Sequence, residues 1–172
     1  MFFSRWHLIT LALAIIAVAS LIMGGYERRV VVRSGFGALI FLYVVTTIPI
    51  ATITYHHKSM DAAMREQVVS HYELKMKQLG DSARAIDRLA LAAGSFQDDD
   101  TYEIKFYAGN YNESYRFQGT LIVRTYDEQG KELDRNAYEN LSIEPGEVKK
   151  IDSYYSASSF DTYRYEFIPQ EP

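Results

Sequence analysis

The side chains of this sequence that could do chemistry are four histidines, a run of three aspartates, many scattered carboxylates and an excess of tyrosine. His7, His56, His57 and His71 are the histidines. His56 and His57 are adjacent, so on a helix they project about 100° apart and chelate a single ion poorly. His57 and His71 stand two heptads apart and cannot share an ion within one chain. Interfacial or solvated histidines are the expectation, with a metal-binding or pH-sensing role as the alternative. Asp98, Asp99 and Asp100 offer oxygen ligands to calcium, but they lack the alternate-residue spacing and turn glycine of a calcium loop. A solvated linker is the expected reading of Gln97–Asp100.

Other chemistry is excluded by absence. There is no cysteine, so disulfides, thiolate zinc sites and cysteine nucleophiles are ruled out. No Gly-rich phosphate loop, H-E-x-x-H or G-x-S-x-G motif occurs. Residues 101–172 hold no histidine, which removes a catalytic triad within that segment. Glu144 and Glu147 flank a turn and are expected to be solvated rather than to act as an acid–base pair. The patterns at Asn112-Glu113-Ser114 and Asn140-Leu141-Ser142 match glycosylation sequons and are read as incidental. The expectation is a protein without a catalytic site, cofactor or metal.

Ten of the fourteen tyrosines fall in residues 101–172. Tyr107, Tyr111, Tyr115, Tyr154 and Tyr155 are candidates for an interaction patch, since tyrosine joins apolar area to a polar tip. Core and cross-strand packing is the first expectation for the same rings, with the patch as the alternative.

Which elements position these groups? No charged residue occurs from Trp6 to Tyr26, nor from Ser34 to His57. A bilayer's hydrocarbon core takes about 20 apolar helical residues, so each stretch is long enough to span. Residues 1–58 are therefore expected to form a transmembrane hairpin, with spans at about 6–26 and 36–55. A cleaved signal peptide ending near Ala17-Val18-Ala19 is the rival for the first span. Pro49 is expected to kink the second. Glu27–Arg33 reads as a short loop whose three arginines favour the cytoplasmic side, leaving both termini outside.

Residues 59–100 read as a helical connector. Met60, Met64, Val68, Tyr72, Met76 and Leu79 fall on one helical face, which packs within the chain or pairs two chains in a homodimer. After Gly80, with Asp81 or Ser82 as cap, a second helix is expected with Ile86, Leu89, Ala90 and Ala93 on one face, stopping near Gly94.

From residue 101 the hydrophobic period changes to two, with Tyr102, Ile104 and Phe106 alternating with polar neighbours. Tyr115, Phe117, Leu121 and Val123 share a face of a second strand, with Arg116, Gln118 and Arg124 opposite. Asp127-Glu128-Gln129-Gly130 and Glu144-Pro145-Gly146-Glu147 are turns in which the glycines supply positive φ. Lys131 begins a return strand, and Val148–Tyr154 and Tyr163–Phe167 supply later strands. The fold class expected for residues 101–172 is a small antiparallel β-sandwich.

The stretch Gly119–Leu133, with Tyr126-Asp127-Glu128-Gln129-Gly130-Lys131, and the stretch Ile143–Lys150, with Pro145-Gly146-Glu147, together resemble the FxLYD-type extracytoplasmic domains of Gram-positive bacteria. Thr125 stands where that family has leucine before the tyrosine. The resemblance covers roughly fifty residues and implies an immunoglobulin-like module outside the membrane, with no catalytic residues to transfer.

Charge follows the same division. Residues 1–58 carry +4, residues 59–100 carry −3 and residues 101–172 carry −5. An acidic soluble portion argues against nucleic acid as a partner. The sequence thus points to a membrane-anchored accessory protein that displays its β-domain for protein interaction outside a bacterial cell. The other reading is a small subunit or regulator of a membrane transport or secretion complex acting through the hairpin, where Pro49, Gly24, Gly25, Gly35 and Gly37 allow close helix contacts.

Overall fold

The computed structural model describes residues 5–170, without the side chains of residues 5–8, 10 and 81. The chain forms two compact units, Met1–Ser59 and Met60–Pro172.

In the first unit, α1 (Arg5–Met23) ends at Gly24-Gly25. Gly25 adopts φ 72°, and the N–H groups of Tyr26 and Gly25 donate to the carbonyls of Leu21 and Ile22. This glycine-dependent reversal satisfies carbonyls that the last helical turn leaves unpaired. α2 (Arg28–Leu79) then starts, with the Glu27 carbonyl accepting from Val30 and Val31. The expected arginine loop is therefore corrected: Arg28–Arg33 is the opening of α2, because no glycine or proline interrupts those residues. The second apolar stretch and the connector helix are likewise one element, which continues through Pro49.

α2 is long and apolar enough to cross a membrane by length and composition, whereas the apolar part of α1, Leu11–Met23, is shorter. Phe36, Phe41, Ile48 and Ile53 are all more than half exposed. The hydroxyls of Ser20, Thr46 and Thr52 donate back to the carbonyls of Ile16, Leu42 and Ile48, so these polar groups need no water. Within this unit Ala14 is buried, and a Cβ on Gly35 would lie 2.9 Å from Val18. The two helices approach closely there because the residues are small.

The second unit contains the last turns of α2, two short 3-10 turns (Gly80–Ser82 and Ala85–Arg88) and six strands: β1 (Leu89–Asp98), β2 (Thr101–Asn110), β3 (Phe117–Tyr126), β4 (Glu132–Ile143), β5 (Val148–Ser156) and β6 (Thr162–Pro169). They form two antiparallel three-stranded sheets, β1-β2-β5 and β4-β3-β6. Leu91, Ile104 and Phe106 from one sheet share a core with Phe117, Leu121, Val123 and Phe167 from the other, an arrangement compatible with a β-sandwich. Gly130 (φ 76°) and Gly146 (φ 73°) make the two turns read from the sequence.

β1 overturns the second connector helix. Leu89, Leu91 and Ala93 enter the sandwich core, while Ala90 and Ala92 face outward beneath α2. A strand buried on both faces is apolar throughout, and periodicity does not separate it from a buried helix. The aspartate run is not a linker either. Asp98 pairs with Thr101, and Asp99-Asp100 is the two-residue reversal joining β1 to β2, with Asp99 at φ 51°.

The apolar stripe of α2 packs on the outer face of the β1-β2-β5 sheet, where Met64 and Val68 are fully buried against Ala90, Ala92 and Tyr107. Two glycines seat the helix: a Cβ on Gly94 would lie 2.6 Å from Met64 Sδ, and one on Gly109 2.9 Å from Val68 Cγ1. The face that the sequence offers to a second chain is thus covered within its own.

Candidate interaction surface

The five tyrosines singled out above do not form one exposed patch. Tyr107 is 1% exposed under α2, and Tyr111 stacks on Tyr72 with ring centroids 4.1 Å apart. Tyr115 and Tyr154 pack against the sandwich core. Tyr155 alone of the five is largely exposed, at 59%. Large rings next to an apolar core gain more from burial than from solvent; the Tyr154 hydroxyl finds a partner across the sandwich and Tyr107 finds Asp61 on α2, whereas the buried Tyr111 hydroxyl has no partner among the described residues.

Tyrosine hydroxyls close both sides of the sandwich. At the β4/β5 side, Tyr138 on β4 donates to Asp152 on β5 at 2.8 Å, and Tyr154 on β5 donates to Asp134 on β4 at 3.0 Å. Burial raises both phenols, with the facing carboxylates adding to the effect, and Tyr154 reaches about 12. At the opposite side, β1 has a free backbone edge. The Leu91 carbonyl accepts from His71 Nδ1 at 3.0 Å and from the Tyr163 hydroxyl at 3.3 Å, and the Leu89 carbonyl accepts from Lys75 at 3.3 Å. An edge dressed in this way cannot template another strand.

Beneath α2 lies a buried charge cluster. Lys105, 1% exposed, donates to Asp61 at 3.2 Å and pairs with Glu103 at 3.3 Å. Ser153 donates to the other Glu103 oxygen at 2.6 Å, and Arg65 lies over the Tyr107 ring. Burial alone would raise the Asp61 carboxyl; hydrogen bonds from Tyr107 and Lys105 outweigh it and hold the group below its ordinary value. Burial and the bond to Asp61 push the Tyr107 phenol far up. Every charge here has a partner inside the chain, so the cluster fixes α2 on the sheet and leaves nothing open for a substrate.

The outer face of the β4-β3-β6 sheet is different, since nothing covers it among the described residues. Its register sets Arg124 on β3 directly across from Arg135 on β4 and from Arg164 on β6. Three guanidinium groups therefore share one rung. Arg164 lies over the Tyr126 ring at 5.5 Å, and Arg124 reaches Glu132 at 3.9 Å. Among the described residues neither Arg135 nor Arg164 forms an ion pair. An open groove of about 240 Å³ runs beside the rung, lined by Ile122, Arg124, Tyr126, Arg164, Tyr165 and Glu166. Like charges directly opposite on a sheet oppose its pairing, and arginine with tyrosine is the composition of protein-binding hot spots. Alternation alone puts Arg124 on the polar face of its strand; only the pairing register adds Arg135 and Arg164.

The other sequence candidates stay apart. The rings of His56 and His57 are 6.4 Å from centroid to centroid, and His71 is half-buried at the β1 edge. Glu147 accepts from the Glu144 backbone N–H at 2.8 Å, a turn contact. Asn112 is buried and bonds Asn110 and Ala85. Among the described residues no group of three or more histidine or carboxylate side chains has the geometry to hold a metal. Comparison with protein-family models and with curated proteins finds no match to this chain.

Proposed function

We propose that this chain is a membrane-anchored interaction protein of a bacterial cell, with α1 and α2 as a two-span anchor and the β-domain displayed outside the cell for a protein partner. The observation that carries the reading is α2, whose apolar side chains between Phe36 and Ile53 remain exposed in the isolated chain. The uncharged residues 34–57 extend about 36 Å as helix, against about 30 Å of bilayer hydrocarbon. Arg28, Arg29 and Arg33, concentrated at the start of α2, favour the cytoplasm for that end under the positive-inside rule over the scattered Arg5, Lys58 and Arg65, which supports a β-domain outside. The turns at Gly130 and Gly146 support the resemblance to FxLYD-type, immunoglobulin-like domains, because both take the backbone form that the shared glycines allow.

Topology labelling tests the reading. Single cysteines at Glu27, between the helices, and at exposed Ser158 enter a chain with no native thiol. Labelling of intact cells by an impermeant thiol reagent at residue 158 but not 27 is the expected result; the reverse pattern overturns the external placement.

A second reading, a subunit or regulator of a membrane transport or secretion complex, draws on the close approach of Gly35 to Val18. Exchanging residues 1–58 for an unrelated two-span anchor separates the two. Function that survives the exchange favours display.

A further inference from the structure

Two exposed charged features face away from the core: the arginine rung on the outer face of the β4-β3-β6 sheet, and the aspartate side chains at the tip of the β1–β2 hairpin. Asp98, Asp99 and Asp100 are all exposed, and among the described residues none of them forms an ion pair. Two chain steps reach at most about 7 Å when extended, and Asp98 to Asp100 runs around a reversal, so the tip is narrower than that. Strands lie about 4.8 Å apart, so Arg135, Arg124 and Arg164 span about 10 Å. The two groups are equal in number and opposite in charge, and the tip is narrow enough to sit within the width of the rung. They do not meet within one chain, because the rung faces away from the sheet that carries the tip; the neighbours Val123 and Thr125 point into the sandwich.

We infer that the β-domain associates with a second copy of this chain, the aspartate tip of one copy seated on the arginine rung of the next. Guanidinium forks bind carboxylates in bidentate fashion, and the cation already held over Tyr126 gives the rung an apolar floor with Ile122. Glu132 and Glu166 border the rung and oppose an extended polyanion, whereas a narrow hairpin tip reaches the arginines between them. Tip and rung are different surfaces, so the contact is heterologous and leads to chains or rings of copies rather than a closed two-fold pair. The inference rests on the anchored reading in one respect: confinement to a membrane raises the effective concentration of copies enough for a contact built on exposed charges.

Two tagged full-length copies in one membrane test it, one with Asp99→Cys and the other with Glu166→Cys, using a short bis-thiol crosslinker. A tip-to-rung crosslink between the two tags is expected, weakening as salt is raised. Arg124→Glu with Arg164→Glu in the second copy should lower the yield about tenfold, as two attractions become repulsions. Asp98→Lys with Asp100→Lys in the first copy should then restore it. Unchanged melting curves confirm that the reversed variants fold. If they melt early, the salt dependence of the unreversed pair decides instead. A yield indifferent to charge reversal and salt overturns the inference, as does the absence of a crosslink when both thiols react with a monofunctional reagent. Neither failure touches the labelling at residues 27 and 158, so the anchored reading stands or falls separately.

Discussion

Replacing Lys105 by methionine isolates what the buried charge cluster contributes. The ammonium is 1% exposed and sits between Asp61 and Glu103, and Glu103 is itself only 7% exposed. Methionine keeps most of the aliphatic volume against Phe96 but removes the cation beside a buried carboxylate. Breaking one side of a buried pair costs about 3–5 kcal/mol, a large share of the 5–15 kcal/mol that holds a domain together. For a unit of this size that is a fall in Tm of roughly 10–20 °C. Adding Glu103→Gln to the same chain removes the stranded charge and should recover at least about half of the loss. Asp61→Asn should cost only about 1 kcal/mol, because its carboxylate is 42% exposed and screened. The Asp61 carboxyl is held below its ordinary value of 3.8, so its contribution is present above that pH and is lost as pH falls through the lower folded value. Near-ultraviolet circular dichroism of the tyrosines, on the full chain in detergent, follows the melt. A single variant that loses less than about 1 kcal/mol, or a double variant as unstable as the single, refutes the reasoning.

Three further outcomes follow from the sandwich. Gly119→Ala places a Cβ 2.1 Å from the Ile168 carbonyl and 2.9 Å from Pro169 Cα, so β3 and β6 must separate; a loss above about 3 kcal/mol in denaturant unfolding is expected. Thr125→Leu adds apolar bulk to an open pocket of about 150 Å³ that Ile104, Leu133 and Phe160 line together with Asp134, Tyr154, Ser156 and Ser158, so a gain of no more than about 1 kcal/mol is expected; a lower Tm would show that the polar side of the pocket rejects the branched chain. Burial raises the Tyr154 and Tyr163 phenols from 10.0 to about 12, and an acid with a raised folded value stabilises below its unfolded value and loses that contribution as pH rises through the folded one. Alkaline unfolding should therefore set in between pH 10 and 12 together with a late phenolate absorbance step, and Tyr154→Phe should shrink that step.

Five of the six strands and both glycine turns were legible because alternation and turn chemistry are local signals, as in Phe117, Leu121 and Val123 with Gly130. β1 was not, since Leu89–Ala93 is buried on two faces and rich in alanine, a residue that favours helix where nothing else decides. The start of α2 was obscured by charge: arginines at residues 28, 29 and 33 suggest a loop, yet none of them breaks a helix. Composition lets the tyrosines pack or face outward, and only the tertiary partners decide: Tyr154 meets Asp134 of the opposite sheet and Tyr107 meets Asp61 of α2, while Tyr155 stays exposed. The arginine rung joins residues 124, 135 and 164, and no window of sequence contains all three.

The boundary between the two compact units, Ser59–Met60, falls inside α2, where every backbone amide is engaged in helix. A protease needs extended, accessible chain, so this junction is a poor site for cutting the β-domain from the apolar helices. The vulnerable stretch is Gly80–Arg88, which has Gly80 at φ 57° and only short 3-10 turns. A cut there would nick the chain without releasing the β-domain, because Met64, Val68 and the Lys105–Asp61 pair would still hold it to the severed helix. Release of the β-domain from α2 would thus require unfolding as well as cleavage, tying its retention to the stability of the helix seat.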